Sequence, residues 1–196
     1  QSPLRAQAKL ETKDRILDAM VDIVTREGVH AFSVPSVAAA AGVAHRTVYR
    51  HFATREALLD GLDDLLERRA AAAGIELPDL STIEDLPARV AAVFRSCDRF
   101  RDAMRAYVVI SVALGRRVPS FDRRTRMFAD ALARSFPGLG RKEARATAAV
   151  LRLLVSTRAW FHLTTDHDMT TDEAARVVEW ATQTLLADVA RRSRKR

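Results

Sequence analysis

Arg46, Arg50 and Arg55, with His30, His45 and His51, fall in a stretch from Gly28 to Arg55 that contains no Asp or Glu. A guanidinium forks to the N7 and O6 edge of guanine or clamps a phosphate, and an imidazole can hydrogen-bond a base edge. Among these cations, Thr47 offers a hydroxyl for phosphate and a methyl for thymine, and Tyr49 and His51 can reach phosphates. Ser33 and Arg55 stand where two helices are expected to begin, and there the helix dipole assists donation to phosphate. The chemistry of this stretch is recognition of a polyanion. The candidate contact set for double-stranded DNA is Ser33, His45, Arg46, Thr47, Tyr49, Arg50, His51 and Arg55.

No comparable constellation suggests catalysis. The chain has no phosphate-cradling Gly loop, no Cys cluster and no nucleophile elbow, and no base–nucleophile pair is readable, so an enzyme is not expected and no cofactor is called for. His162, Asp166, His167 and Asp168 are residue types that could hold zinc. They close an expected helix and enter a turn, where Asp and His are ordinary, and no metal is assigned to them.

The elements that must position the basic face are helices. Ala, Leu and Arg dominate, and no alternating strand run occurs, so the fold class is expected to be all-α with about nine helices. The first should run from Leu10 to Glu27, with Ile16, Met20, Ile23 and Val24 as its apolar stripe and Gly28 as its stop. The second should begin at Ser33 and end at Gly42, and the third should cover Ala44 to His51. Thr54 should cap the fourth, whose buried face is Leu58, Leu59, Leu62, Leu65 and Leu66. A break with Pro78 follows, then helices near 82–98, 100–116, 120–135, 141–164 and 171–191, the last with a cap pattern at Thr171. The basic run from Arg191 to Arg196 reads as a frayed, solvated tail.

A length of 196 residues with 48% hydrophobic residues allows one large domain or two small ones with a buried core. The expected division is a helix-turn-helix domain over 1–55 and a helical remainder over 56–196. The formal charge of +7 favours polyanionic partners. The single Cys97 fits a reducing compartment. No apolar run reaches membrane-span length, and Gln1 to Lys9 is polar and basic rather than a secretory leader, so the expected location is cytoplasmic with no membrane partner. The first residue is not Met, so the start of the natural chain is expected to lie upstream.

From Ser33 to Phe52 the spacing has a physical logic. Two helices meet at a sharp angle through a short turn. Ala38 is small enough for the crossing helix to approach, Gly42 makes the turn, and Val37, Val43 and Val48 fill the angle, while Phe32 and Phe52 pack against the first helix. The third helix is then the one that enters the major groove.

Residues 12–62 resemble the N-terminal domain of the TetR family of bacterial regulators. The likeness is carried by Ile16-Leu17-Asp18-Ala19, Gly28, Phe32-Ser33-Val34, Val37-Ala38 and Ala40-Ala41-Gly42-Val43. It continues through Thr47-Val48-Tyr49, His51-Phe52 and Arg55-Glu56-Ala57-Leu58-Leu59. Arg55 stands where Lys is usual, and Arg50 where an aromatic or His is common; both keep or add positive charge.

The resemblance implies a homodimer that reads a near-palindromic operator, represses transcription, and is released by a small hydrophobic or aromatic effector. It places the dimer interface on the last two long helices. Ala144, Ala148, Leu151 and Val155 form one candidate face, and Ala174, Val178, Ala181 and Leu185 the other, although an intramolecular core reads the same way. It also implies an effector cavity. Candidate lining residues are Phe94, Cys97, Phe100, Met104, Tyr107, Ser111, Phe128, Trp160, Phe161 and His162, all of types that equally build a core. The alternative is a helical ligand-binding protein that has lost operator binding.

Overall fold

The computed structural model describes residues 3–74, 82–115 and 119–194, and all of its regular structure is helical. Ten α-helices are described: α1 (Pro3–Glu27), α2 (Val34–Ala40), α3 (His45–His51), α4 (Arg55–Ala72), α5 (Leu86–Arg99), α6 (Arg101–Ala113), α7 (Pro119–Ser135), α8 (Arg141–Leu154), α9 (Thr157–Thr165) and α10 (Thr171–Ser193). Short 3-10 turns at Val29–Ala31 and Ile83–Asp85 precede α2 and α5. Among the described residues, no helix is long and apolar enough to cross a membrane.

The residues form two compact units. The first is Gln1–Ala72 with Arg101–Val118, and the second is Ala73–Phe100 with Pro119–Arg196. The first unit therefore extends past residue 55 and recruits α6 from later in the chain.

In the first unit, α1 packs on α2, α4 and α6, while α2 packs on α3 and α4 on α6. The expected stripe of α1 is buried, with Ile16 and Met20 fully enclosed, and Leu17 joins it. The five leucines of α4 are buried as expected. Each contributes roughly 1.5–3 kcal/mol of transfer free energy. Two ion pairs fasten the outer side of α1 to α4: Arg68 to Asp14 at 2.5 Å and Arg69 to Asp18 at 2.8 Å. Helix α1 starts at Pro3, a full two turns before the expected Leu10.

In the second unit, α5 lies along α10, α7 packs on α8, and α9 touches α5, α8 and α10. The expected helix over 141–164 is two helices, because Ser156 adopts an extended backbone and its hydroxyl accepts from Ala159 N at 3.1 Å, capping a new helix. Helix α10 is capped by Thr170, one residue before the expected Thr171; Thr170 and Glu173 close a reciprocal capping box. Thr171 instead accepts from the buried indole of Trp160. Pro119 begins α7, as a residue with no N–H can at the first helical position.

Two expectations for this unit are corrected. Ala144, Ala148, Leu151, Val155, Ala174 and Val178 are buried within the single chain and belong to the intramolecular core, whereas Ala181 and Leu185 are half-buried. The large apolar residues left exposed on α8 and α10 are others, Val150, Leu153, Val177 and Trp180. Nor is Arg191 the start of a frayed tail: α10 continues through Ser193, Arg191 pairs with Asp188, and Arg192 bridges to Glu143 of α8 at 2.7 Å. Residues 195–196 of that basic run lie outside the described residues, as do 75–81 of the expected break and residue 116.

Candidate nucleic-acid interface

The angle between α2 and α3 is set by the turn at Gly42. Its N–H donates to Ala39 O at 3.2 Å and the next N–H, of Val43, donates to Ala38 O at 3.0 Å. This paired ending needs a left-handed residue, and Gly42 has φ +63. Val37, Ala38 and Val48 are fully enclosed at the crossing; Val43 is only half-buried. At the start of α2, Ser33 and Ser36 close a capping box, with Ser36 N donating to Ser33 Oγ at 3.1 Å and Ser33 N donating to Ser36 Oγ at 3.0 Å. Such a cap is worth ~0.5–2 kcal/mol. The hydroxyl of Ser33 is thus first an acceptor within its own helix.

Helix α3 buries Val48 on one side, and Phe52 at its end is buried with it. At 100° per residue, Arg46 and Arg50 lie opposite Val48, and Tyr49 and His45 follow them round one side of the helix. All four are exposed. Thr47 and His51 are half-buried on the flank. The structure thus brings four of the expected contact residues onto one free face and sets two at its edge. Tyr49 is 53% exposed, much for a large aromatic side chain.

Arg55 is held at the junction of α2 and α4. Its guanidinium donates to the carbonyl of Phe32 and stacks over the Phe32 ring at 5.1 Å. It is a strut of the motif as well as a surface cation. The ring nitrogen Nδ1 of His51 is buried without a hydrogen-bond partner. Burial holds this imidazole below its ordinary value, and the positive charges of Arg50, Lys13 and Lys9 push the same way. The neutral form of His51 is thus favoured beside a positively charged surface.

The two lysines were not in the expected contact set. Both lie on α1, and Lys13 sits over the Phe52 ring at 5.8 Å. Their signal in the sequence is spacing: Arg5, Lys9 and Lys13 recur every fourth residue, one helical row. Gly61 was missed too. A β-carbon there would meet the Phe52 ring, so α4 approaches the end of α3 at a residue without a side chain.

The candidate effector residues fall into both units. Met104, Tyr107 and Ser111 belong to the first, where Ser111 is buried and donates to Val108 O of its own helix at 2.8 Å. Phe94, Cys97, Phe100, Phe128, Trp160, Phe161 and His162 belong to the second. Phe94, Cys97, Phe128 and Trp160 are buried there, and Phe100 and Phe161 are half-buried. His162 is exposed and pairs with Asp166 at 2.6 Å. Among the described residues, no group of three or more His, Cys, Asp or Glu comes together to hold a metal ion.

Residues 16–62 match the sequence profile of the family described as bacterial regulatory proteins, tetR family. Several solved structures share the fold. A TetR-family transcriptional regulator from Syntrophomonas wolfei str. Goettingen aligns with TM-score 0.68 at 16% identity, over 90% of this chain and 95% of that one. A TetR-family regulator from Rhodococcus sp. aligns with TM-score 0.65 at 21% identity, over 89% and 98%. A TetR-like regulator from Rhodococcus sp. RHA1 gives 0.57 at 19%, over 90% and 96%. At such identities the likeness establishes the all-helical, two-part fold. No curated protein matches the chain.

Proposed function

We propose, from the TetR-family character of residues 16–62 and of the fold that contains them, that this protein is a ligand-responsive transcription regulator. It binds a near-palindromic duplex operator as a homodimer, represses, and is released by a small hydrophobic or aromatic effector. The observation that carries the reading is the free face of α3. His45, Arg46, Tyr49 and Arg50 project from a short helix anchored by Val48, in a stretch without one acidic residue. A helix presented this way suits the major groove, where Arg reads guanine and an aromatic or hydroxyl group reaches phosphate.

The dimer is supported by the apolar residues that a single chain leaves uncovered. Leu153 is 62% exposed and Trp180 66%, with Val150 and Val177 beside them in their helices. Positions 146, 149, 150 and 153 fall on one side of α8, and 177, 180 and 184 on one side of α10. A second copy is the natural cover, because a two-fold partner would also present two reading helices to a symmetric site. Release by an effector requires that the effector bind the DNA-competent and DNA-incompetent states with different affinity.

The test is selection from a library of random duplexes at near-physiological salt. The expected product is a near-palindromic site whose binding is lost when Arg46 and Tyr49 are changed to Ala. Weak, sequence-blind binding that vanishes as salt is added would overturn the reading and leave a helical ligand-binding protein in its place.

A further inference from the structure

We propose that the side of α1 carrying Arg5, Lys9 and Lys13 is a second DNA contact, a row of cations that grips backbone phosphates flanking the bases read by α3. The inference rests on the operator-binding reading above and adds a surface to it.

The first ground is the overhang. Residues 3–10 of α1 are all exposed, whereas Ile16, Leu17 and Met20 are enclosed by the first unit. At 1.5 Å per residue those eight residues carry the helix about 12 Å beyond its buried portion. The large apolar residues of this extension stay uncovered within the chain, Leu4 at 82% and Leu10 at 36% exposure. An exposed helical extension without a core function calls for another partner.

The second ground is the distribution of charge around α1. At 100° per residue, positions 5, 9 and 13 fall in a sector of roughly 80°, and Ile16 and Met20 continue the same sector downstream. The basic row is therefore the upstream prolongation of the face that packs on the unit. The acids Glu11, Asp14, Asp18 and Asp22 lie on the far side. Glu11 accepts from Gln7 at 2.9 Å, Asp14 pairs with Arg68 and Asp18 with Arg69. Among the described residues, Arg5, Lys9 and Lys13 form no ion pair. The fold has drawn the acidic side of α1 towards arginines of α4 and left the basic side without a counter-charge.

The third ground is proximity to α3. Lys13 lies 5.8 Å from the Phe52 ring centroid, at the end of that helix. The charges of Lys9 and Lys13 both reach His51. The row thus continues the acid-free surface of His45, Arg46, Tyr49 and Arg50 onto a second helix. Its cations are spaced about 6 Å apart along the axis. Three cations in line match a polyanion of regular repeat, and flexible ammonium and guanidinium groups bind phosphate without reading sequence.

The experiment compares the full chain with an Arg5→Gln/Lys9→Gln variant on the selected operator and on a scrambled duplex, between 50 and 200 mM salt. Lys13 is left in place because it packs on Phe52. The expected result is a plot of log K against log salt that is shallower by about 0.9 for each phosphate no longer neutralised, so about 1.8 per chain. Affinity should fall by a similar factor on both duplexes, with the selected sequence unchanged. An Arg5→Lys/Lys9→Arg variant should keep the wild-type slope. A wild-type slope and affinity in the Gln variant, with operator selection intact, would overturn this proposal alone. A wild-type chain that selects no duplex sequence would overturn the operator reading and this one with it.

Discussion

The ring of Phe52 fills the space that a side chain on Gly61 would need: a β-carbon at Gly61 would lie 2.5 Å from its Cε1 and 3.2 Å from its Cζ. Phe52 ends α3 and is 4% exposed, so its ring has little room to retreat. Gly61→Ala should therefore destabilise the protein although Ala is the better helix former. Overpacking of a tight core costs ~1–3 kcal/mol, against the ~1 kcal/mol gained in helix propensity. Chemical denaturation checks this, and a midpoint higher than wild type would show that the ring moves freely. Because the strain falls on the end of the reading helix, operator affinity should drop in the folded variant as well.

His51 predicts a dependence on acidity. Its imidazole is held below the ordinary 6.5 by burial first, then by Arg50, Lys13 and Lys9. The unfolded chain therefore takes up a proton as pH falls through about 6.5, while the folded protein resists. Stability from this group is fully present above that value and is lost as pH falls towards and through the lower folded value. Urea midpoints at pH 7.5 and pH 5.5 should differ less in His51→Gln than in wild type. An equal decline in both proteins would assign the effect to other groups.

Cys97 should behave as an inert thiol. Burial pushes it up to about 11, against weaker opposing effects from the Thr157 hydroxyl 3.8 Å away and the charges of Arg124 and Arg152. Reactivity belongs to the thiolate. A disulfide reagent at pH 8 should label Cys97 only as fast as the second unit opens, and with the free-thiol rate in denaturant. Rapid labelling of the native protein would mean that the buried site opens locally.

On the proposed homodimer, Leu153→Arg and Trp180→Arg should each leave a monomer without unfolding the chain. Both residues are more than 60% exposed, so the single chain loses little, on the order of 0.5 kcal/mol or less. Sedimentation equilibrium should show the change in mass, and operator affinity should fall with it. A variant that remains dimeric would move the interface to another surface.

The motif from Ser33 to Phe52 was legible because every position answers to a local rule: a cap, a small residue at a crossing, a glycine turn, a buried valine. The apolar stripes of α1 and α4 were legible by period. What period could not say is which of two faces turns inward. Helix α8 carries apolar residues at both 144, 148, 151 and at 146, 149, 150, 153, and only packing separates core from surface. The break before α9 was hidden because the apolar rhythm from Leu151 through Trp160 runs across it. The first turns of α1 were missed because Pro3 to Lys9 has no stripe, only the four-residue recurrence of its cations. The aromatic and sulfur-bearing residues assigned to an effector site were chosen by type, and type does not say in which unit a side chain will reside.

The return of α6 to the first unit has a practical consequence. Its Ala106, Val108 and Ile110 are buried, and α6 packs on α1 and α4, yet α5 intervenes in the chain between α4 and α6. The first unit is thus not a bead that one cut releases. A fragment ending at residue 55 or 72 would expose the apolar surface that α6 covers and should aggregate or melt early. Moving the α2–α3 motif into another protein requires carrying α6 with it and making junctions on both sides of that helix.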